Sequence, residues 1–210
     1  MSDSSTASKL SESKREQILE GAREIFMNKG FAAASMEQIA RSAGVSKGTL
    51  YNYFENKETL FVALIQGECC KGGSHDSPPS EYSDTPPELI LQTIGQQWLT
   101  SLLEAHQRAL FRIVLAEAMQ FPELGQAIEE SGPALARRNL AHYLDHLHQR
   151  GIVDIADTTL AAEQFFALCD AGVMRKIQLS VCEPTAEMIA SQVSSAVKLF
   201  LQGYRPQIPA

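Results

Sequence analysis

The segment SKGTLYNYFENK, residues 46–57, gathers hydroxyl, amide, phenol and ammonium groups into little more than three helical turns. Such groups can hydrogen-bond to base edges and to phosphates. A glycine inside a helix costs about 1 kcal/mol relative to alanine, and it is tolerated where the backbone must approach another molecule closely. The pattern favours a nucleic-acid-reading helix, and the alternative is a helical hairpin with a tyrosine-rich surface. The candidate DNA contacts on this helix are Ser46, Lys47, Gly48, Thr49, Tyr51, Asn52 and Tyr53.

Two short helices joined by a tight turn must position these groups. Residues 36–43 place apolar side chains at i, i+3, i+4 and i+7, which predicts the first helix. Ser35 and Gln38 match a capping box at its start, and Gly44 suits its end. Ser46 is the predicted cap of the second helix. The layout of helix, glycine-containing turn and helix is that of a helix-turn-helix DNA reader.

A longer helix precedes this pair and completes a small core. Residues 1–10 are serine-rich and are predicted to be a disordered arm. Ser11 or Ser13 is expected to cap the long helix, which ends near Gly30. Residues 11–56 are therefore predicted to form a three-helix DNA-binding domain. Asn56 is expected to cap a fourth helix that fades at residues 71–73.

The remainder of the chain, residues 57–210, also has helical patterning, so the predicted fold class is all-α. Residues 72–87 are rich in glycine, serine and proline and are predicted to be a loop. Later helices are expected to start at Pro86–Pro87, near Gln107, at Pro122, at Thr158 or Thr159, and at Pro184–Thr185. The helix that starts at Pro122 is expected to be interrupted at Gly132–Pro133. The helix that starts at Thr158 or Thr159 is expected to end near Ser180. Residues 57–210 are therefore predicted to form a second, helical domain.

Charge and composition fit an intracellular DNA-binding protein. The net charge of −7 arises entirely after residue 60, because residues 1–60 hold eight basic and eight acidic side chains. Local potential rather than total charge governs docking on DNA. The sequence shows no apolar run long enough for a membrane span and no signal-peptide core, so we expect a cytoplasmic protein with no membrane partner. The four cysteines do not form a disulfide or zinc spacing, although a Cys69–Cys70 redox pair is conceivable.

Metal and enzyme chemistry find little support in the sequence. His142, His146 and His148 invite a metal hypothesis, but they lie in a polar stretch and a solvated face is favoured. No nucleophile–base pair or phosphate-binding loop is evident, so we expect no cofactor, no metal and no catalytic residue.

The segment from Ile18 to Leu64, above all GVSKGTLYNYFENKETLF, resembles the N-terminal domain of the tetracycline-repressor (TetR) family of transcriptional regulators. The stretches FRIVLAEAMQFPELGQAIEESGP and AAEQFFALCDAG are similar to the C-terminal domain of multidrug and stress repressors in that family. The resemblance implies an all-α, Ω-shaped homodimer with one reading helix per subunit and a small-molecule pocket in the C-terminal core. It also assigns the candidate contacts of residues 46–53 to DNA binding, makes Ser35 a phosphate contact at the start of the preceding helix, and makes Lys57 the phosphate-binding lysine.

Two further expectations concern the C-terminal part. Broad apolar faces on the last two helices predict a dimeric four-helix bundle, the alternative being that they only close the monomer core. For several apolar side chains a role as plain core is favoured, and lining a pocket for an apolar or amphipathic effector is the alternative: Trp98, Phe111, Met119, Phe121, Phe165, Cys169 and Met174.

These features favour a repressor that binds a palindromic operator as a dimer and is released by a small molecule. A helical scaffolding protein whose hairpin contacts another protein is the second hypothesis. Binding to double-stranded DNA, with a salt-dependent affinity, separates the two.

Overall fold

The structure is a computed structural model that describes residues 3–71 and 85–206, and the side chains of residues 11–68 and 85–206. Helices account for nearly all of the regular structure, and no β-strand occurs among these residues, which confirms the predicted all-α class. The helices are α1 (Asp3–Ala33), α2 (Met36–Ser42), α3 (Lys47–Tyr53), α4 (Lys57–Lys71), α5 (Pro87–Leu103), α6 (Ala105–Glu117), α7 (Pro122–Ser131), α8 (Pro133–Gln149), α9 (Thr158–Asp170), α10 (Val173–Gln178) and α11 (Ala186–Gly203).

Local capping explains why several of these helices begin where the sequence predicts. At α2, Gln38 N–H donates to Ser35 Oγ while Ser35 N–H donates to the Gln38 side chain, each at 3.3 Å. At α4, Thr59 N–H donates to Asn56 Oδ1 at 2.8 Å and Asn56 N–H donates to Thr59 Oγ1 at 3.3 Å. Each cap supplies acceptors to orphan N–H groups of the first turn.

Three helix boundaries differ from the prediction. The helix α1 begins at Asp3 rather than at Ser11 or Ser13. Its helical geometry breaks at Gly30, which has a φ of 77°, so residues 31–33 lie beyond the break and the predicted end near Gly30 agrees with the structure. The N-cap of α9 is Asp157, whose Oδ1 accepts from Leu160 N–H at 2.9 Å. The predicted helix to Ser180 is divided into α9 and α10 at Gly172, which has a φ of 76°.

Two predictions concern residues that the structure does not describe or describes by their backbone alone. Residues 72–84 of the predicted loop lie outside the described residues. Cys69 and Cys70 lie at the end of α4, where the backbone alone is described, so the redox hypothesis stays open.

The chain divides into two compact units. The first contains residues 1–71 and 109–131, and the second contains residues 72–108 and 132–210. The predicted functional boundary between residues 56 and 57 stays a prediction, and α4 packs with the N-terminal helices as part of the first unit.

Each unit has its own apolar core. In the first unit, the rings of Phe26, Phe31, Phe61 and Phe121 form a contiguous cluster with centroid separations of 4.7 to 5.8 Å. In the second unit, Phe165 contacts both Phe166 and Phe200, with centroids 5.6 and 5.3 Å apart. Edge-to-face packing of this kind adds about 0.5–1.5 kcal/mol per pair beyond the buried area.

A candidate DNA-reading surface

The helix α3 is held by its apolar side and presents its polar side outward. Leu50 is fully buried and Phe54 is buried next to it in the first core. On the opposite side, Ser46, Lys47, Gly48, Tyr51 and Asn52 are exposed, whereas Thr49 and Tyr53 are half-buried. The structure therefore places the predicted contact residues on one short helix and separates them into outward and inward members.

The start of α3 is well defined by its cap. Ser46 Oγ accepts from Thr49 N–H at 3.0 Å and lies 2.7 Å from Thr49 Oγ1. These contacts orient the Thr49 hydroxyl toward the helix N-terminus. Amide N–H groups at a helix N-terminus attract anions, so this end suits a phosphate oxygen.

Gly48 has space around it. A β-carbon at this position would meet nothing nearer than Ser46 Oγ at 3.9 Å. Packing within the protein therefore does not require a glycine here, and a side chain would simply project outward. The absence of a β-carbon is instead consistent with close approach by a binding partner.

Two polar contacts that the sequence analysis does not predict join α1 to the helix pair α2 and α3. Gln17 Nε2 donates to the carbonyl of Ala43 at 2.6 Å, at the end of α2. The hydroxyl of Tyr53 donates to Ser11 Oγ at 3.4 Å. Each joins residues more than 25 positions apart, so the local sequence carries no signal for either.

The ammonium of Lys57 is engaged within the protein. Its Nζ donates to the carbonyls of Phe31, Ala32 and Ala34 at 2.7, 3.3 and 3.2 Å. It also lies 4.4 Å from the centre of the Phe31 ring. The phosphate contact that the family resemblance assigns to Lys57 stays a prediction.

The predicted pocket residues are divided between the two units. In the first unit, Phe121 packs against Phe31, Phe111 is half-buried and Met119 is 99% exposed. In the second unit, Trp98, Phe165 and Cys169 are buried in the core and Met174 packs at its edge. Met119 is thus fully exposed, whereas the other six predicted pocket residues are buried or half-buried. The pocket itself stays a prediction.

Among the described residues of the second unit, two buried side-chain N–H groups find no acceptor, Nε of Arg108 and Nε1 of Trp98, and only the second lies in the aromatic core. The indole Nε1–H of Trp98 is buried, and no acceptor among the described residues lies within hydrogen-bond reach. The ring packs against Phe166 with centroids 4.4 Å apart. An unsatisfied buried donor costs about 1–3 kcal/mol, so an acceptor placed there would be bound favourably.

Titration behaviour in the second unit follows from burial. Burial raises the pKa of the Cys169 thiol to about 12, with a smaller contribution from the Asp170 carboxylate. Burial likewise raises the pKa of Asp170 above its usual value. Cys169 therefore stays protonated at neutral pH and behaves as a small apolar core residue.

The described residues provide neither a metal site nor a membrane-spanning helix. In the described part of the chain, no group of three or more His, Cys, Asp or Glu side chains converges as a metal site would require. His148 Nδ1 instead accepts from Ile155 N–H at 3.3 Å. None of the described helices is both long enough and apolar enough to cross a bilayer.

The fold and the exposed short helix define a helix-turn-helix protein with a second helical unit. Residues 18–64 match the sequence profile of bacterial regulatory proteins of the tetR family, and residues 90–206 match that of the AefR-like transcriptional repressor C-terminal domain. The chain belongs to the TetR family of transcriptional regulators, which are not enzymes.

Individual relatives agree with this assignment. The transcriptional regulator UidR of Escherichia coli K12 is 28% identical over 197 residues, which is 92% of this chain and 90% of UidR. The solved structure of the flavonoid-responsive regulator FrrA is 33% identical and has a TM-score of 0.81, covering 94% of this chain and all of FrrA. A putative TetR-family regulator from Mesorhizobium loti is 27% identical, also with a TM-score of 0.81, over 93% of this chain and 98% of that protein.

Proposed function

We propose that this protein is a repressor that binds a near-palindromic DNA operator as a homodimer in the bacterial cytoplasm and is released by a small-molecule effector. The observation that carries the DNA-binding part is α3, a capped and core-anchored helix whose outward residues are small, polar, aromatic or cationic. The repressor part is supported by the repressor-type C-terminal profile and by AcnR of Corynebacterium diphtheriae, a transcriptional repressor 34% identical over 129 residues, 54% of this chain and 67% of AcnR.

In this proposal the exposed residues have two roles, phosphate contact and base reading. Ser35, Ser46 and Lys47, with the N–H groups of the α2 and α3 first turns, contact phosphates and set the register. Tyr51, Asn52 and the edge beside Gly48 lie farther along α3 and read bases in the major groove. The half-buried Thr49 and Tyr53 support this surface, with Thr49 available at its rim.

The dimer is proposed to form through α9 and α11. Of the apolar residues on these helices, Phe165, Phe166, Val193, Val197 and Phe200 are buried within the second unit, so they already close its own core. Two large apolar side chains remain outward, since Leu160 is 48% exposed and Leu199 is 56% exposed.

Exposed small residues occur on the same two helices. Ala167 on α9 and Ser194 and Ser195 on α11 are exposed, and short side chains allow a second copy to approach closely. A two-fold pair of reading helices then requires an operator with two-fold sequence symmetry.

The effector is proposed to bind in the second unit near Trp98. An aromatic or amphipathic molecule with acceptor oxygens would satisfy the indole N–H and pack on the adjacent Phe166 ring. Because the similar regulator FrrA is described as flavonoid-responsive, planar polyphenols are the first class to examine. Release would follow if the effector binds more tightly to a conformation that cannot engage both half-sites.

DNA binding can be measured without knowing the operator. Purified protein would be used to select duplexes from a random library and to titrate DNA from upstream of its own gene, with fluorescence anisotropy at several salt concentrations. We expect a selected sequence with two-fold symmetry and an affinity that falls steeply with salt. Failure to bind any of these duplexes with salt dependence would reject the proposal in favour of a protein-binding role.

Effector binding has a built-in reporter, because Trp98 is the single tryptophan of the chain. A flavonoid panel should change its fluorescence and release the selected duplex at matching concentrations. Trp98→Phe keeps the ring contact but removes the N–H donor, so the flavonoid concentration needed for release should rise about tenfold. An equal response of both proteins would exclude Trp98 from the effector site.

A further inference from the structure

A cleft separates the C-terminal half of α5 from the beginning of α11, within the second unit. Its volume is about 430 Å³, which falls in the range of roughly 300–1,000 Å³ that small-molecule sites occupy. The two helices are in close contact at Gly95, where an added β-carbon would lie 2.8 Å from Val193 Cγ1. Beyond this contact the cleft extends toward Glu104 at the end of α5 and Pro184 just before α11.

The base of the cleft and its α11 wall are apolar. Leu103 is buried and Ile189 is half-buried, so both offer carbon surface to a molecule in the cleft. Ala186 and Ala190 are exposed, and their short side chains leave the space beside them open. Moving an apolar group from water onto this surface is favourable.

The α5 wall of the cleft is polar. Gln96, Thr100 and Glu104 follow one another at intervals of four residues, so they lie along one face of the helix about 6 Å apart. Gln97 and Ser101 continue this polar face into a smaller adjoining cleft of about 260 Å³. A molecule in the cleft therefore meets hydrogen-bonding groups on one side and apolar groups on the other, which favours an amphipathic ligand.

Glu104 determines the charge of the cleft. Among the described residues that line it, Glu104 is the one charged side chain, and it is 45% exposed. Its Oε2 lies 3.4 Å from Nδ1 of His106, and a carboxylate can accept about four hydrogen bonds, so capacity for a ligand remains. The nearby Arg108 guanidinium lies 3.2 Å from the carboxylate of Glu183 and is compensated by it. The cleft is therefore complementary to a positive charge.

We propose that this cleft binds a small organic cation, an ammonium group attached to an apolar body. The ammonium lies at Glu104, where Thr100 offers a further acceptor, and the apolar body packs against Leu103 and Ile189. Such a ligand contacts α5 and α11 together and so stabilises the packing of one helix on the other.

This site is separate from the proposed effector site near Trp98. The indole packs on Phe166 of α9, whereas the cleft is lined by α5, by the start of α11 and by the two residues before it. Trp98 is two residues from Gln96, which places the two side chains about 200° apart around α5. The inference therefore goes beyond the proposed function, and its test needs neither DNA nor a flavonoid.

A series of three ligands with one apolar body tests the preference for charge. Phenylbutylammonium, phenylbutanol and phenylbutyrate share the phenyl ring and the alkyl chain but carry a cationic, a neutral and an anionic group. Isothermal titration calorimetry would measure their affinities for the full-length protein up to millimolar concentrations. We expect phenylbutylammonium to bind about fivefold more tightly than phenylbutanol, and phenylbutyrate to bind most weakly.

Glu104→Gln tests the proposed partner of the ammonium. The substitution keeps the shape and hydrogen-bonding capacity of the side chain but removes its charge. The affinity for phenylbutylammonium should fall about fivefold, to that for phenylbutanol, and the affinity for phenylbutanol should not change. Glu88→Gln is the matched control, because Glu88 is an exposed glutamate in the first turn of the same helix, and it should leave all three affinities unchanged.

Two further variants locate the bound molecule. Ala190→Phe places a ring in the cleft from an exposed position, so it should weaken phenylbutylammonium and phenylbutanol more than tenfold. Trp98→Phe should leave both affinities unchanged, because the indole lies outside the cleft. Circular dichroism would confirm the fold of each variant, and Glu104→Gln decides the question if Ala190→Phe does not fold.

Several results would overturn the inference. Equal affinities for the cation and the anion, or no measurable binding of the cation at millimolar concentrations, would exclude a cation site. An unchanged affinity for phenylbutylammonium in Glu104→Gln or in a folded Ala190→Phe would place the cation elsewhere, as would a loss in Trp98→Phe. A protein that binds the cation as expected but no DNA duplex would reject the proposed function alone.

Discussion

Gly21 in α1 lies directly against the backbone of Ala43 at the end of α2. A β-carbon on Gly21 would lie 2.5 Å from the amide nitrogen of Ala43 and 2.7 Å from its β-carbon. Both distances are well below van der Waals contact, and the obstructing atoms include backbone that cannot rotate away. The absence of a side chain at residue 21 therefore sets how closely α1 packs on the helix-turn-helix pair.

Gly21→Ala is expected to destabilise the protein by about 2 kcal/mol, because the overpacking cost exceeds the gain in helix propensity. Urea denaturation measures the change. Gly67→Ala is the matched control in α4, where an added β-carbon meets no atom within 4 Å, and it should be neutral or stabilising by up to about 1 kcal/mol. Equal stabilities for the two variants would show that α1 can move away from Ala43 at little cost.

Gly48→Ala is expected to have the opposite profile, with a fold that is at least as stable and operator binding that is weaker. The site has room for a methyl group within the protein, and alanine favours the helix by about 1 kcal/mol. The methyl group would hold α3 away from the groove and lower operator affinity about tenfold, or about 1.4 kcal/mol. Thermal unfolding and anisotropy on the selected duplex measure the two effects. Undiminished affinity would place Gly48 outside the interface.

The ion pair between Arg23 and Glu68 is expected to stabilise the first unit. Glu68 is only 4% exposed, and its carboxylate contacts the Arg23 guanidinium across α1 and α4. Glu68→Ala would remove the buried partner of the Arg23 guanidinium and leave its longer contact with the exposed Glu20, so it should cost about 3 kcal/mol in urea denaturation. Glu20→Ala is the control, since Glu20 is mostly exposed and 3.6 Å from Arg23, and it should cost less than about 0.5 kcal/mol.

A double replacement tests whether the stability lost in Glu68→Ala comes from leaving the Arg23 guanidinium without its buried carboxylate partner. Substituting both Arg23 and Glu68 by methionine removes both charges and keeps apolar volume, so it should be less damaging than Glu68→Ala alone. If the double variant is the less stable of the two, the charges themselves stabilise the packing of α1 on α4.

The pH dependence of stability is expected to include a contribution from Asp170. Burial raises its pKa above the ordinary 3.8, so the folded state retains this proton to higher pH than the unfolded state does. The folded state then binds more protons, and the contribution of Asp170 to stability is lost as the pH rises from about 3.8 through the raised folded value. Thermal unfolding from pH 3.5 to 7.5 should show Asp170→Asn gaining on the wild type across that interval. Parallel curves would mean that the carboxyl group is solvated in the folded protein.

The sequence by itself determined the features that depend on neighbouring residues. Ser35 with Gln38 and Asn56 with Thr59 lie three positions apart, so their caps form from local chain geometry and could be predicted directly. The spacing of Leu50 and Phe54, four residues apart, likewise predicts the side of α3 that faces the core, and both residues are buried. The family resemblance rested on the same contiguous segment.

The tertiary structure decided the features that join distant parts of the chain. The contacts of Lys57 with the end of α1 and of Gln17 with Ala43 each join residues 26 positions apart, which no local pattern encodes. The burial of Phe165 and the exposure of Met119 also depend on packing, because an apolar residue type does not specify which surface will cover it. The sequence thus predicts a DNA-reading helix, and long-range packing determines how α1 and α4 support it.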